Sequence, residues 1–252
     1  MNAPKDDVSK RIPDAQFVLE MPPVETGGCS ILMIGSGRSG KTTNLTYLHS
    51  ALPDGQVGAL TSLATRRDRT LFFDYLPVDL GTVGAYRVRF QLYTVPGQPY
   101  YRAIRQLVLQ GADGIAFVAD SQRHRWDDNL ESLKDLHANL AEHGVDARGL
   151  PLVMQYNKQD LPASLAASMA ELSVALNFRA VPEFAGDALH GPGVFDTLRS
   201  LGMRVLKRLG ADEGTETAHR AALALRTPPF TPALHTGLVT TDMLTGVASG
   251  DV

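Results

Sequence analysis

Eight consecutive residues, Gly35-Ser36-Gly37-Arg38-Ser39-Gly40-Lys41-Thr42, follow the pattern G-x-x-x-x-G-K-[ST]. Such a loop suits a polyphosphate. Its glycines let successive backbone N–H groups turn toward one anion, and the helix that follows adds its positive end. A lysine at position 41 reaches the outer phosphates, and the Thr42 hydroxyl is a ligand for Mg²⁺. Gly35, Gly37, Arg38, Ser39, Gly40, Lys41, Thr42 and Thr43 are therefore the phosphate-binding candidates. The loop falls between the apolar run CSILMIG (29–35) and the amphipathic run KTTNLTYLHSAL (41–52), which supplies the strand–loop–helix context that this chemistry needs.

A second pattern, Asn157-Lys158-Gln159-Asp160, closes a later apolar run. It resembles the N-K-x-D base-recognition motif of GTPases. A carboxylate at Asp160 accepts from guanine N1–H and its exocyclic amine, whereas adenine presents the opposite pattern, so guanine is expected. Between the two lies Thr94-Val95-Pro96-Gly97-Gln98. Small GTPases place D-x-x-G-Q at this point: the acid holds a Mg²⁺-bound water, the glycine N–H touches the γ-phosphate, and the glutamine orients the attacking water. Gly97 and Gln98 fit those roles. Thr94 does not, because a hydroxyl brings no negative charge: either Mg²⁺ binds more weakly or Asp74 or Asp120 substitutes.

These motifs need a scaffold that brings strand ends together. Strand-like runs at 86–95, 114–120, 150–157 and 179–184 alternate with helical stripes at 100–110, 127–140, 165–176 and 193–209. Strand and helix in alternation predict an α/β fold with a doubly wound, mainly parallel sheet and helices on both faces. Together with the GTPase-like motifs, this resembles the three-layer P-loop GTPase (Ras-like) fold. The middle of the chain, residues 28–210, carries nearly all of these signals and is read as one domain. Residues 1–27 and 211–252 are read as appendages, with net charges of −2 and −3, the second being flexible.

The segments SLATRRDRTLFFDYLP (62–77), LYTVPGQPYYRA (92–103), GADGIAFVADSQ (111–122) and QYNKQDLP (155–162) resemble the MglA group of bacterial Ras-like GTPases, over about residues 28–209. The TVPGQ form of D-x-x-G-Q is itself a mark of that group. The resemblance implies GTP/GDP and Mg²⁺ as ligands, and a switch in the segment containing SLATRRDRT. There Thr70 would sense the γ-phosphate and Mg²⁺, making Thr42 and Thr70 the metal ligands. Arg69 would be an intrinsic arginine finger acting with Gln98. It implies backbone of Ala188 in the guanine O6 pocket, a Roadblock-domain activating protein as partner, and a role in cell polarity or motility. Asp68 contacts a partner or caps its loop; the residues leave both open.

Other chemistry is argued against. The chain has 24 Lys and Arg against 27 Asp and Glu, a balance that gives a nucleic-acid backbone no basic face. No apolar run approaches the ~20 residues of a membrane span. Neither end carries a lipidation motif, so no direct membrane anchor is expected. The lone cysteine, Cys29, is read as a small core side chain in a reducing, cytoplasmic setting, with partners recruiting the protein to a cell pole. His124, His137 and His143 lack metal-ligand spacing, and Ser36 and Ser39 lack the context of a hydrolase nucleophile. Two functions follow: a nucleotide switch that hydrolyses GTP slowly, or a nucleotide-binding scaffold with little hydrolysis.

Overall fold

The computed structural model describes residues 28–64, 71–83, 86–95, 109, 111–142 and 144–208. Arg69, Thr70, Gly97, Gln98 and both terminal segments lie outside the described residues, as does the expected 100–110 helix apart from Leu109. In chain order the elements are β1 (Gly28–Ile34), α1 (Lys41–Ala51), β2 (Thr61–Ala64), β3 (Leu71–Val83), β4 (Tyr86–Thr94) and β5 (Gly114–Asp120). A 3₁₀ turn (Arg123–Arg125) then leads into α2 (Trp126–Glu142), followed by β6 (Leu152–Asn157), α3 (Met169–Leu176), β7 (Glu183–Gly186) and α4 (Val194–Arg208).

Among the described residues the strands form one sheet in the order β2-β3-β4-β1-β5-β6-β7. From β4 to β7 all neighbours are parallel, while β2–β3 and β3–β4 are antiparallel. Every residue of β5 and β6 is buried, which explains why neither shows the in-out alternation of a half-buried strand. One core cluster joins one sheet face to α1 and α4 through Leu45, Leu48, Leu198 and Leu201. The other joins the opposite face to α2 and α3 through Leu133, Leu136, Leu172 and Leu176. The three-layer expectation holds.

Two strands were invisible as strands. β3 contains Pro77 and Gly81, both strand breakers by composition. Pro77 is tolerated because its carbonyl accepts from Gly58 N–H, on the side away from β4. A strand residue's N–H faces the same side as its carbonyl, so the missing donor takes nothing from the β3–β4 ladder. The helix expected over 165–176 begins only at Met169. Ser168 and Glu171 form a capping box there, with Glu171 N–H donating to Ser168 Oγ and Ser168 N–H donating to Glu171. The last strand begins at Glu183, not Arg179: Ala180 lies at φ 48°, off the extended range, and Asn177 bonds Val181 at its amide and its carbonyl.

The register decides where the site sits. Met33 pairs with Thr94, Ile34 with Phe117, Asp120 with Asn157, and Asn157 with Gly186. The carboxyl ends of β1, β4, β5, β6 and β7 therefore open along one edge, where parallel sheets bind ligands.

Candidate nucleotide-binding site

The glycine-rich loop leaves β1 and enters α1. Gly35 approaches β5 so closely that a Cβ would lie 2.0 Å from the Val118 carbonyl oxygen. Gly40 stands at φ 98°, and a Cβ there would meet Asn157 Nδ2 at 2.0 Å. Both positions demand glycine. Lys41 is buried, and its ammonium folds back across the loop to the carbonyls of Gly35 (3.0 Å) and Ser36 (2.6 Å). The first turn of α1 is anchored from beneath. Asn44 Nδ2 donates to the Gly40 carbonyl and to Gln155 Oε1, each at 2.9 Å, and Gln155 Nε2 donates to Asn44 Oδ1 and to Thr197. α1 has no acidic residue in its first turn, which leaves its positive end open to an anion.

Beside the loop, Asp74 of β3 gathers three hydroxyls. Its Oδ2 accepts from Thr42 Oγ1 at 2.6 Å and from Thr94 Oγ1 at 3.0 Å, and its Oδ1 accepts from Ser62 Oγ at 2.7 Å. Asp74 N–H donates back to Thr94 Oγ1 at 2.8 Å. The antiparallel pairing of Tyr75 with Tyr93, continued by one residue, sets Asp74 opposite Thr94. The charge that Thr94 lacks thus lies one strand over, on a carboxylate only 6% exposed. Asp120, the other candidate, is committed elsewhere. Its Oδ2 pairs with Lys158 at 2.5 Å and its Oδ1 accepts from Gln122 N–H at 3.0 Å.

On the base side, Asn157 is buried and ties two loops together: Nδ2 donates to the Ser39 carbonyl and Oδ1 accepts from Ala188 N–H, both at 2.8 Å. Lys158 adopts φ 69°, and its ammonium is held by Asp120 and by Gln122 Oε1 at 3.1 Å. Asp160 is exposed. Its carboxylate, that of Asp187 and the His190 ring offer ligand atoms within 4.8 Å of one another. Asp187 shapes that loop by accepting from the N–H groups of Leu189 and His190 and pairing with His190 Nδ1 at 2.6 Å.

The structure brings Gly35 through Thr43, Asn157, Lys158, Asp160 and Ala188 to one edge of the sheet. It adds Asp187, His190, Arg125 and Asn129, none of which sequence reasoning singled out for the site. Only the loop that folds Asp187 and His190 against Asp160 reveals them. Arg125 and Asn129 carried a weak signal, a spacing of four at a helix start. Cys29 is 8% exposed in the core, and burial, reinforced by Asp113, pushes its thiol up to about 11, which excludes it as a nucleophile near neutral pH.

The sequence pattern of the ADP-ribosylation factor family matches residues 24–201. Over 181 residues the chain is 50% identical to the mutual gliding-motility protein MglA of Myxococcus xanthus (strain DK1622), covering 72% of this chain and 92% of that protein. It is 28% identical to ADP-ribosylation factor-like protein 6 of Caenorhabditis elegans, covering 59% of this chain and 70% of that protein. Human ADP-ribosylation factor-like protein 4D is also 28% identical, over 73% of this chain and 86% of its own length.

Proposed function

We propose, for a chain that belongs to the ADP-ribosylation factor family and is an MglA-type bacterial Ras-like GTPase, that its GTP hydrolysis is slow until a partner stimulates it and that different partners read its two nucleotide states. The observation that carries this reading is the Thr42–Asp74–Thr94 cluster. Thr94 and the two appended ends were the reasons to suspect a scaffold with little hydrolysis, and a carboxylate at the Thr42 hydroxyl answers the first of them.

The residues fit Mg²⁺. The donor set is hard oxygen: a threonine hydroxyl beside a buried carboxylate, next to a loop built for phosphate. In this reading Thr42 and Thr70 would hold the ion, and Asp74 would orient the Thr42 hydroxyl toward it. When bound, Mg²⁺ supplies charge neutralisation for the phosphates. The chain's own groups do the rest. Lys41 and the N–H groups from Gly37 to Thr43 hold the phosphates; Gly97 N–H senses the γ-phosphate; Gln98 orients water; Arg69 neutralises charge that develops in the transition state.

Asp160 reads guanine. Lys158, pinned by Asp120, lays its stem along the nucleotide, while Asn157 acts mainly by holding Ser39 and Ala188 in place. Ala188 N–H is already engaged by Asn157, so a bond to guanine O6 would have to be shared. By likeness to the Myxococcus protein, whose name refers to gliding motility, the switch serves motility or cell polarity, with a Roadblock-domain protein as its activator. Among the described residues no helix is long and apolar enough to cross a membrane. We place the protein in the cytoplasm, brought to a cell pole by partners. The division at residues 27 and 210 belongs to the same proposal, and it is abandoned if deletion of 211–252 abolishes GTP binding.

Single-turnover phosphate release from GTP, with and without a Roadblock-domain protein, tests the reading. Slow release accelerated by the partner supports it. No turnover in either condition would return the chain to the scaffold alternative.

A further inference from the structure

Two successive residues of the phosphate loop are gripped from the segment that follows β5. Arg125 Nη2 donates to the Gly37 carbonyl at 2.7 Å, and Ser36 Oγ donates to Asn129 Oδ1 at 3.0 Å. Arg125 and Asn129 stand four residues apart where the 3₁₀ turn passes into α2, so both side chains leave the same face. Each is held in turn. Asn129 closes onto the end of β5, accepting from Asp120 N–H and donating to the Asp120 carbonyl. Arg125 pairs through Nη1 with Asp128 at 2.5 Å. The turn itself is moored to α3 by the Arg123–Glu171 pair at 3.0 Å.

We infer that Arg125 is a positioning residue for phosphate binding: by holding the Gly37 carbonyl it fixes the 37–38 peptide plane so that Arg38 N–H faces the phosphate. Peptide planarity carries the step. A trans peptide points its C=O and its N–H in opposite directions, and no cis bond occurs among the described residues. With the Gly37 carbonyl drawn out toward Arg125, the Arg38 N–H turns to the other side, into the loop. Arg38 stands at φ 63°, a conformation uncommon for a residue with a side chain, so a loop freed from the clamp has reason to relax. The guanidinium is suited to the work, because its planar fork serves Asp128 and Gly37 together and its charge strengthens both bonds. In the phosphate loop Arg125 touches backbone, the Gly37 carbonyl, which separates it from the role given to Arg69. This inference rests on guanine-nucleotide binding in the same loop.

The test uses the full-length chain, Arg125→Ala and Arg125→Lys. Dissociation rates are measured for a fluorescent GDP and a non-hydrolysable GTP analogue, with the ³¹P resonances of bound GDP and the thermal midpoint alongside. Arg125→Ala is expected to release both nucleotides about tenfold faster or more, and to move the β-phosphate resonance. Arg125→Lys, whose compact ammonium cannot serve both partners through a fork, is expected to fall between. Rates within about twofold of the parent and an unmoved resonance in Arg125→Ala would overturn the inference. If that variant does not fold, parent-like rates and resonances in Arg125→Lys would overturn it as well. A parent chain that retains no guanine nucleotide would overturn both this inference and the reading beneath it.

Discussion

Asp74 and Thr42 share a 2.6 Å hydrogen bond although they sit on different elements, one on an antiparallel strand and the other at the head of α1. That bond places a carboxylate at the hydroxyl proposed to hold Mg²⁺, from the strand next to the expected one. Thr94 keeps the expected position but becomes an accessory, donating to Asp74 and accepting from its N–H.

The exchange of roles makes Thr94→Asp harmful, although it restores the D-x-x-G-Q pattern. It sets a second carboxylate against a buried one, and two such groups cannot both ionise cheaply. A loss of about 2–4 kcal/mol is expected from chemical denaturation near neutral pH. The double variant Asp74→Asn with Thr94→Asp should recover much of it. A single variant as stable as the parent would show that the two positions are not in contact.

The strand–loop–helix context of the phosphate loop and the position of Asn157–Asp160 after a buried strand were legible because both are local: glycine spacing and short, mainly apolar runs mark them. Asp74 was legible only as one of two candidates. Choosing between it and Asp120 needs the β3–β4 register, which no local pattern encodes, and Pro77 and Gly81 hid β3 altogether. The same holds for Arg125. Its value lies in a contact spanning 88 residues, from Arg125 to Gly37.

Guanine specificity is expected to rest on Asp160. Asp160→Asn should weaken GTP binding by about 2 kcal/mol or more, since two bonds to a charged acceptor are altered. It should also admit xanthosine triphosphate, whose extra carbonyl suits an amide N–H. Competition titrations decide this, and unchanged preference for GTP over the xanthine nucleotide would remove Asp160 from the base site.

Stimulated turnover is expected to need Arg69 and Gln98. Arg69→Ala should lower the partner-stimulated rate by ~10³-fold or more while sparing affinity, as loss of transition-state charge neutralisation does. Gln98→Leu should act likewise through the attacking water. If Arg69→Ala turns over at the parent's stimulated rate, the finger comes from another residue or from the partner.

Acid sensitivity is expected at His137. Burial, and then the charge of Arg179, lower its pKa from 6.5. Its ring packs against Phe178 at 5.0 Å, and its Nε2 is buried without a hydrogen-bond partner among the described residues. The fold therefore favours neutral imidazole. As pH falls below 6.5, the unfolded chain takes up a proton that the folded chain resists, and stability declines until the lowered folded value is passed. Thermal midpoints at about pH 7.5 and about pH 5.5 should differ more in the parent than in His137→Gln. Equal differences would place the acid sensitivity elsewhere.

If Asp74 serves the Mg²⁺ side of a GTP switch, GDP release must depend on Mg²⁺ through that carboxylate. In the parent, release of fluorescent GDP should be slow with Mg²⁺ and at least about tenfold faster when EDTA removes the ion. Asp74→Ala should release GDP fast in both conditions, its Mg²⁺ dependence lost. An Asp74→Ala variant that folds and keeps the parent's slow, Mg²⁺-dependent release would contradict the account.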